Sequence, residues 1–184
     1  MIEINNITYI EYSELKDKNE YDYCIKFAYS FNKPVDILKI GDLTEQKFGI
    51  VKDMQYDFQN GITWEQLFDY IFQMKGSDIK SLAAMKLINL CQIKSYLKSE
   101  IERINDIESI VLTHDVDEDE IRAGIEELSQ FGIYMQLRQI ALTFHKSINE
   151  IKHWKYDECF TELVVQKKLS EYQENLFEIK KKKD

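Results

Sequence analysis

SDIKSLAAMKLINLCQIKSYLKSEIERIND, Ser77 to Asp106, is the stretch whose reading decides the fold. Its apolar positions Ile79, Ala83, Leu87, Leu90, Ile93, Leu97, Ile101 and Ile104 step by 4, 4, 3, 3, 4, 4 and 3 residues. That seven-residue repeat keeps one stripe facing one way along a helix, the pattern of a helix packed lengthwise on another. It predicts a long central helix over 77–106, buried in a bundle or, alternatively, self-associating with a second copy. Just before it, Thr63-Trp64-Glu65-Gln66 is a capping box, opening a helix striped with Trp64, Leu67, Phe68, Ile71 and Phe72 and closed by Gly76. After it, Ile110 to Leu112 reads as a connector. Asp117 and Glu120 then open a helix that turns Ile121, Ile125, Leu128 and Phe131 to the core and ends at Gly132. A last helix from Tyr156 or Asp157 carries Phe160, Leu163, Val164, Tyr172, Leu176 and Ile179 into Lys180 to Lys183.

The N-terminal third reads differently. Ile2-Glu3-Ile4 and Ile7 to Tyr12 alternate partially and contain β-branched residues, which predicts a strand or two. Helical spacing returns over 20–31 and stops at Asn32-Lys33-Pro34, before an extended segment over 35–40. Thr44 caps a further helix with Phe48, Val51, Met54, Gln55 and Phe58 on one face, where Gly49 costs about 1 kcal/mol relative to Ala. Asn60-Gly61 ends it. The expected fold is mainly α, an irregular helical bundle with a long central helix and a small N-terminal β element. Residues 1–61 form its α+β part and 62–184 its helical part, in one continuous domain. The sequence contains no visible internal repeat.

The 184 residues are 44% hydrophobic, 31% charged and 12% aromatic, enough to build a core, and one Pro with six Gly leaves helix as the default. The net charge is −9, and 11 acidic against 3 basic residues between Lys98 and Glu127 carry most of it. Phosphate binding needs a basic footprint, so nucleic acid and anionic membranes are poor partners. Cys24, Cys91 and Cys159 are odd in number and widely spaced, which suits buried thiols in a reducing cytoplasm. No signal peptide or membrane-spanning apolar run is present.

Catalytic and metal chemistry finds little support. Asp115, Asp117, Asp119 and Glu126 stand where a calcium loop wants ligands, but Glu120 replaces the glycine such a loop requires. Carboxylates opening a helix are favoured by its dipole without any metal. His145, His153 and Cys159 match no zinc spacing, and no phosphate-binding or nucleophile motif occurs. The residues therefore imply no enzyme, no cofactor and no metal. The aromatic residues Trp64, Phe68, Trp154, Tyr156 and Phe160 are candidate partner contacts, with core packing as the competing use.

GIYMQLRQIALTFHKSINEIKHWKYDECF, Gly132 to Phe160, has two amphipathic segments meeting at His145-Lys146-Ser147. Leu137, Ile140 and Ala141 facing Ile148, Ile151 and Trp154 fit a helix-turn-helix, but His145 stands where the turn glycine is usual and base-reading donors are few. From Leu137 to Phe160, the residues Ala141, Ser147, Glu150, Ile151, Trp154, Asp157, Glu158 and Phe160 form a pattern that resembles the C-terminal segment of tail assembly chaperones and related small virion-assembly proteins of tailed bacteriophages. The resemblance implies a helical, non-enzymatic protein that binds phage structural proteins, in the host cytoplasm during assembly or retained in the virion. The alternatives are a helix-turn-helix DNA-binding regulator and an acidic inhibitor of a host nucleic-acid enzyme.

Overall fold

The computed structural model describes residues 6–19, 22, 25, 40–77, 79–113, 118–129 and 131–181. They are mainly helical. The helices are α1 Tyr9–Glu14, α2 Phe48–Asn60, α3 Trp64–Lys75, α4 Ile79–Ala83 and α5 Leu87–Leu112. They continue with α6 Glu118–Arg122, α7 Ile125–Ser129, α8 Gly132–Phe144, α9 Ile148–Lys152 and α10 Tyr156–Lys181. A 3₁₀ turn occupies Leu43–Glu45. The chain divides into two compact units, residues 1–42 with 53–103 and residues 43–52 with 104–184.

The expected N-terminal β element is not seen among the described residues. Where Ile7 to Tyr12 suggested a strand, Thr8 caps α1 instead. Its Oγ1 accepts from the Glu11 N–H at 3.3 Å, and its own N–H donates to Glu11 Oε2 at 2.8 Å. Thr8-x-x-Glu11 is thus a capping box, which satisfies two helix-end donors and outweighs the β preference of Thr and Ile. Ile2 to Ile4, most of the helix over 20–31 and the extended segment over 35–39 lie outside the described residues.

The long heptad helix is interrupted. α4 ends at Ala83, and α5 begins only after Lys86, which forms an isolated antiparallel bridge with Thr8. There the Tyr9 N–H donates to the Met85 carbonyl at 3.1 Å and the Leu87 N–H to the Ile7 carbonyl at 2.8 Å. Those bonds hold the backbone out of the helix, and Ile79 consequently lies 46% exposed. From Leu87 onward the stripe is an internal seam, with Leu87, Leu90, Ile93, Leu97, Ile101 and Ile104 all buried. From Leu87 to Ile104 that apolar face is covered by the chain itself. The helix also runs on through Ile110 to Leu112. Over 118–131, Gly124 at φ 87° breaks the expected single helix into α6 and α7. Ile121, Leu128 and Phe131 are exposed there rather than in the core.

The two units repeat one design. In the second, Lys47 bridges Lys155, the Phe48 N–H donates to the Trp154 carbonyl at 2.7 Å, and the Tyr156 N–H donates to the Gln46 carbonyl at 2.8 Å. In each unit, then, two helices start side by side immediately after an antiparallel bridge: α1 with α5, and α2 with α10. The run into that bridge matches as well. α3, α4 and α5 are 12, 5 and 26 residues long, while α8, α9 and α10 are 13, 5 and 26. Gly76 and His145 hold the equivalent left-handed position at the end of α3 and α8, at φ 66° and 53°. Matched residues share burial: Phe68 with Leu137, Ile71 with Ile140, Leu82 with Ile151, Leu87 with Tyr156, and Leu90 with Cys159. Across 63–112 and 132–181 the identical pairs are Ile71/Ile140, Ile79/Ile148, Lys86/Lys155, Lys98/Lys167, Glu102/Glu171 and Ile110/Ile179. With so few identities, the matching order of these helices does not show in the sequence.

Gly49, which weakened the sequence case for α2, has a packing reason. A Cβ built there would lie 3.1 Å from Lys152 Cβ and 3.2 Å from its carbonyl oxygen. The missing side chain lets α2 approach α9 closely, so the propensity cost is offset by contact.

Candidate partner-binding surface

α8 places Leu137, Ile140 and Ala141 on one buried side. At 3.6 residues per turn, Met135 and Leu142 fall on the opposite side, and both are exposed, with Leu142 at 62%. Tyr134 and Phe144 are exposed as well, and the Phe144 ring meets the edge of half-buried Trp154 at 5.1 Å. A surface helix ordinarily puts polar residues outward. On α8, Met135 and Leu142 stand outward beside exposed Arg138 and Gln139.

The corner after α8 is built from local hydrogen bonds. His145, the one non-glycine residue with positive φ among those described, lets the Lys146 N–H reach the Ala141 carbonyl at 2.9 Å. Ser147 then caps α9: its Oγ accepts from the Glu150 N–H at 3.2 Å while Glu150 Oε2 accepts from the Ser147 N–H and hydroxyl, each at 2.9 Å. The Ser147 backbone N–H, then its hydroxyl, then Lys146 hold the Glu150 carboxyl down at about 2. A depressed carboxyl pKa contributes stability above the ordinary value and loses it as pH falls through the folded one. Wild-type stability is therefore expected to decline between about pH 4.5 and about pH 2 more steeply than that of Glu150→Gln, in urea melts across that window. Ser147→Ala costs about 1 kcal/mol in the same melts at neutral pH.

A charged cluster lies deeper in this unit. Lys52, 7% exposed, donates through Nζ to both Glu108 oxygens at 2.6 and 2.7 Å. The Tyr156 hydroxyl donates to the same carboxylate. Nζ also stands 5.5 Å from the Phe48 ring centre and 6.0 Å from that of Tyr156. Burial pulls the Lys52 ammonium below its ordinary value, and Glu108 opposes the shift. This ties α2, α5 and α10 together through one carboxylate. Nothing local relates positions 56 residues apart, so this cluster has no signature along the chain.

The five aromatic candidates differ in burial. Phe68 and Tyr156 are buried, and Tyr156 stacks between Phe48 and half-buried Phe160. Trp64 is half-buried, its ring 5.7 Å from that of Tyr9 with Lys94 Nζ 4.9 Å away. Trp64 and Phe68 belong to the first unit, the other three to the second. On α8 the apolar side chains left open are Tyr134, Met135, Leu142 and Phe144; helical spacing puts Met135 and Leu142 outward, whereas Phe144 stands seven residues from buried Leu137, on the same side, at the end of the helix.

Other chemistry is sparse. Burial pushes the Cys91 and Cys159 thiols up to about 12, away from nucleophilic thiolate. A cleft of about 320 Å³ is lined by Leu112, Gln136, Gln139, Leu163, Lys167, Ser170, Glu171 and Glu174. Lys167 spends its ammonium on the Val111 and Thr113 carbonyls at 3.0 and 2.6 Å, capping the end of α5. The calcium-like residues Asp115 and Asp117 lie outside the described residues, as does Cys24. Among the described residues, no helix is long and apolar enough to cross a membrane. α9, the second element of the helix-turn-helix reading, is five residues long, under two turns. No protein-family model matches the chain, and no curated protein or solved structure matches it.

Proposed function

We propose that this chain is a non-enzymatic protein-binding component of bacteriophage virion assembly, a tail assembly chaperone or small adaptor acting in the host cytoplasm. One observation carries the binding role: four large apolar side chains of α8, Tyr134, Met135, Leu142 and Phe144, are all exposed. Exposed contiguous apolar surface marks interaction sites, and Tyr, Phe and Met are enriched in interface cores. The assembly context rests on the resemblance of Leu137 to Phe160, the segment that begins on α8. The partner is a phage structural protein whose own apolar surface meets Tyr134, Met135, Leu142 and Phe144. Exposed acidic residues nearby in the chain, Glu118 and Glu127 among them, supply rim charge and keep the pair soluble. The shortness of α9 and the acidic balance favour protein over duplex DNA as the partner.

The purified chain should bind at least one structural protein encoded beside its gene. Met135→Glu with Leu142→Glu should weaken that binding by at least about tenfold without lowering the melting temperature. Absence of binding to every such protein, or unchanged binding by the double variant, would sink the reading.

A further inference from the structure

Beyond Leu163, α10 is amphipathic in the wrong direction for a surface helix. Its first turns bury Tyr156, Cys159 and Leu163. Continued at 100° per residue, the same side carries Lys167, Ser170 and Glu174, which line the cleft of this unit, and then Phe177, 66% exposed. About half a turn away stand Val165, Leu169, Tyr172, Leu176 and Ile179. Leu169 is 54% exposed, Tyr172 62% and Ile179 54%. The usual arrangement puts the apolar row inward, and the matched helix α5 has it. Leu97, Ile101 and Ile104 are buried where α10 has Gln166, Ser170 and Gln173, and Glu100 and Arg103 stand where α10 has Leu169 and Tyr172. Between the two repeats, the apolar row has moved to the outer face.

We propose that Val165, Leu169, Tyr172, Leu176 and Ile179 form the seam of a two-stranded coiled coil with a second copy of this chain. Three observations select that occupant. The row steps by 4, 3, 4 and 3 residues, the seven-residue period that keeps two helices in lengthwise register. The flanking positions Gln166, Lys168, Gln173, Asn175 and Lys180 bring no like charges together between identical helices. In a parallel pair Lys168 meets Gln173 and Asn175 meets Lys180; in an antiparallel pair Gln166 meets Lys180 and Lys168 meets Asn175. Two such rows with their lysine stems bury on the order of 1,000 Å², the lower limit for a specific interface, which fits a reversible dimer. The seam uses different side chains from the outer side of α8, so self-association and binding of a structural protein are separable.

Sedimentation equilibrium of the full chain from about 1 to about 300 μM should follow a monomer–dimer curve with a micromolar midpoint. Leu169→Glu with Leu176→Glu should move that midpoint at least about tenfold higher, with helicity and melting temperature unchanged. Tyr172 is the midpoint of the row, so Tyr172→Cys should cross-link to its own copy under mild oxidation in either helix direction. Glu174→Cys, on the other side of α10, and the wild-type chain should not. A wild-type chain that stays monomeric throughout, a glutamate variant that dimerises like wild type, or Tyr172→Cys cross-linking no faster than Glu174→Cys would each overturn the proposal.

Discussion

Glu108→Ala is expected to remove about 3–5 kcal/mol from the unit that contains α10, because it strips a buried ammonium of its carboxylate. Lys52 has a side-chain exposure of only 6%, so water cannot readily replace the lost charge. The substitution also takes away the acceptor of the Tyr156 hydroxyl and loosens the junction of α2, α5 and α10. Lys52→Met should cost less, because Glu108 keeps the Tyr156 hydroxyl and the methionine fills the space between the Phe48 and Tyr156 rings. Lys52→Met with Glu108→Ala together should be more stable than Glu108→Ala alone, since no charge is then left buried. Urea unfolding of the three variants gives both the single losses and the coupling. Additive losses would mean that the pair is solvated and that the cluster does not fasten these helices.

Leu97→Ala, in the internal seam of α5, should cost about 2–5 kcal/mol. Leu97 is fully buried, so truncation removes apolar contact and leaves a cavity that flanking Ile93 and Ile101, themselves buried, cannot fill without shifting. Ile110→Ala on the same helix removes as much side chain at a site 80% exposed and should change stability by no more than about 0.5 kcal/mol. Paired melts of these two variants test whether the heptad is used within the chain. Equal, small effects would return the seam to the surface and to self-association along 77–106.

Helix was readable wherever a periodic stripe met a chemical stop. Thr63-x-x-Gln66 and Gly76 bound α3 as the residues predict, and Tyr156 starts α10. Misreadings arose where a local signal had two meanings. Thr8-Tyr9-Ile10-Glu11 contains β-branched residues and also a capping box, and the box prevails because it satisfies otherwise unpaired backbone donors. Ser147-Ile148-Asn149-Glu150 carries the same signature, which makes the polar corner a helix start. The gap between α4 and α5 was invisible, since Ala83 to Leu87 fits the stripe and only bonds to Ile7 and Tyr9 hold it open. Of the surface, the sequence indicated aromatic richness but not direction. Phe68 and Tyr156 point inward, while Met135 and Leu142, unremarkable as letters, are left outside. Side chains separate into core and surface only when the partner elements are known, and those partners are remote in sequence.

The interleaving of the two units has a consequence for the order in which they can mature on the ribosome. Residues 43–52 belong with 104–184, yet they are made before any of 53–103. Glu45 must wait 110 residues for Lys155, and Phe48, fully buried in the finished protein, waits as long for the Tyr156 ring. During that interval Leu43, Phe48 and Val51 form a nascent apolar segment whose native covering does not yet exist. Domains generally complete in the order of synthesis, and unpaired apolar segments are where aggregation begins. The first unit can close once Arg103 has emerged; the second cannot begin to close around Phe48 until α10 leaves the exit tunnel, so a ribosome stalled before Tyr156 would hold a chain with one finished half and one exposed hook.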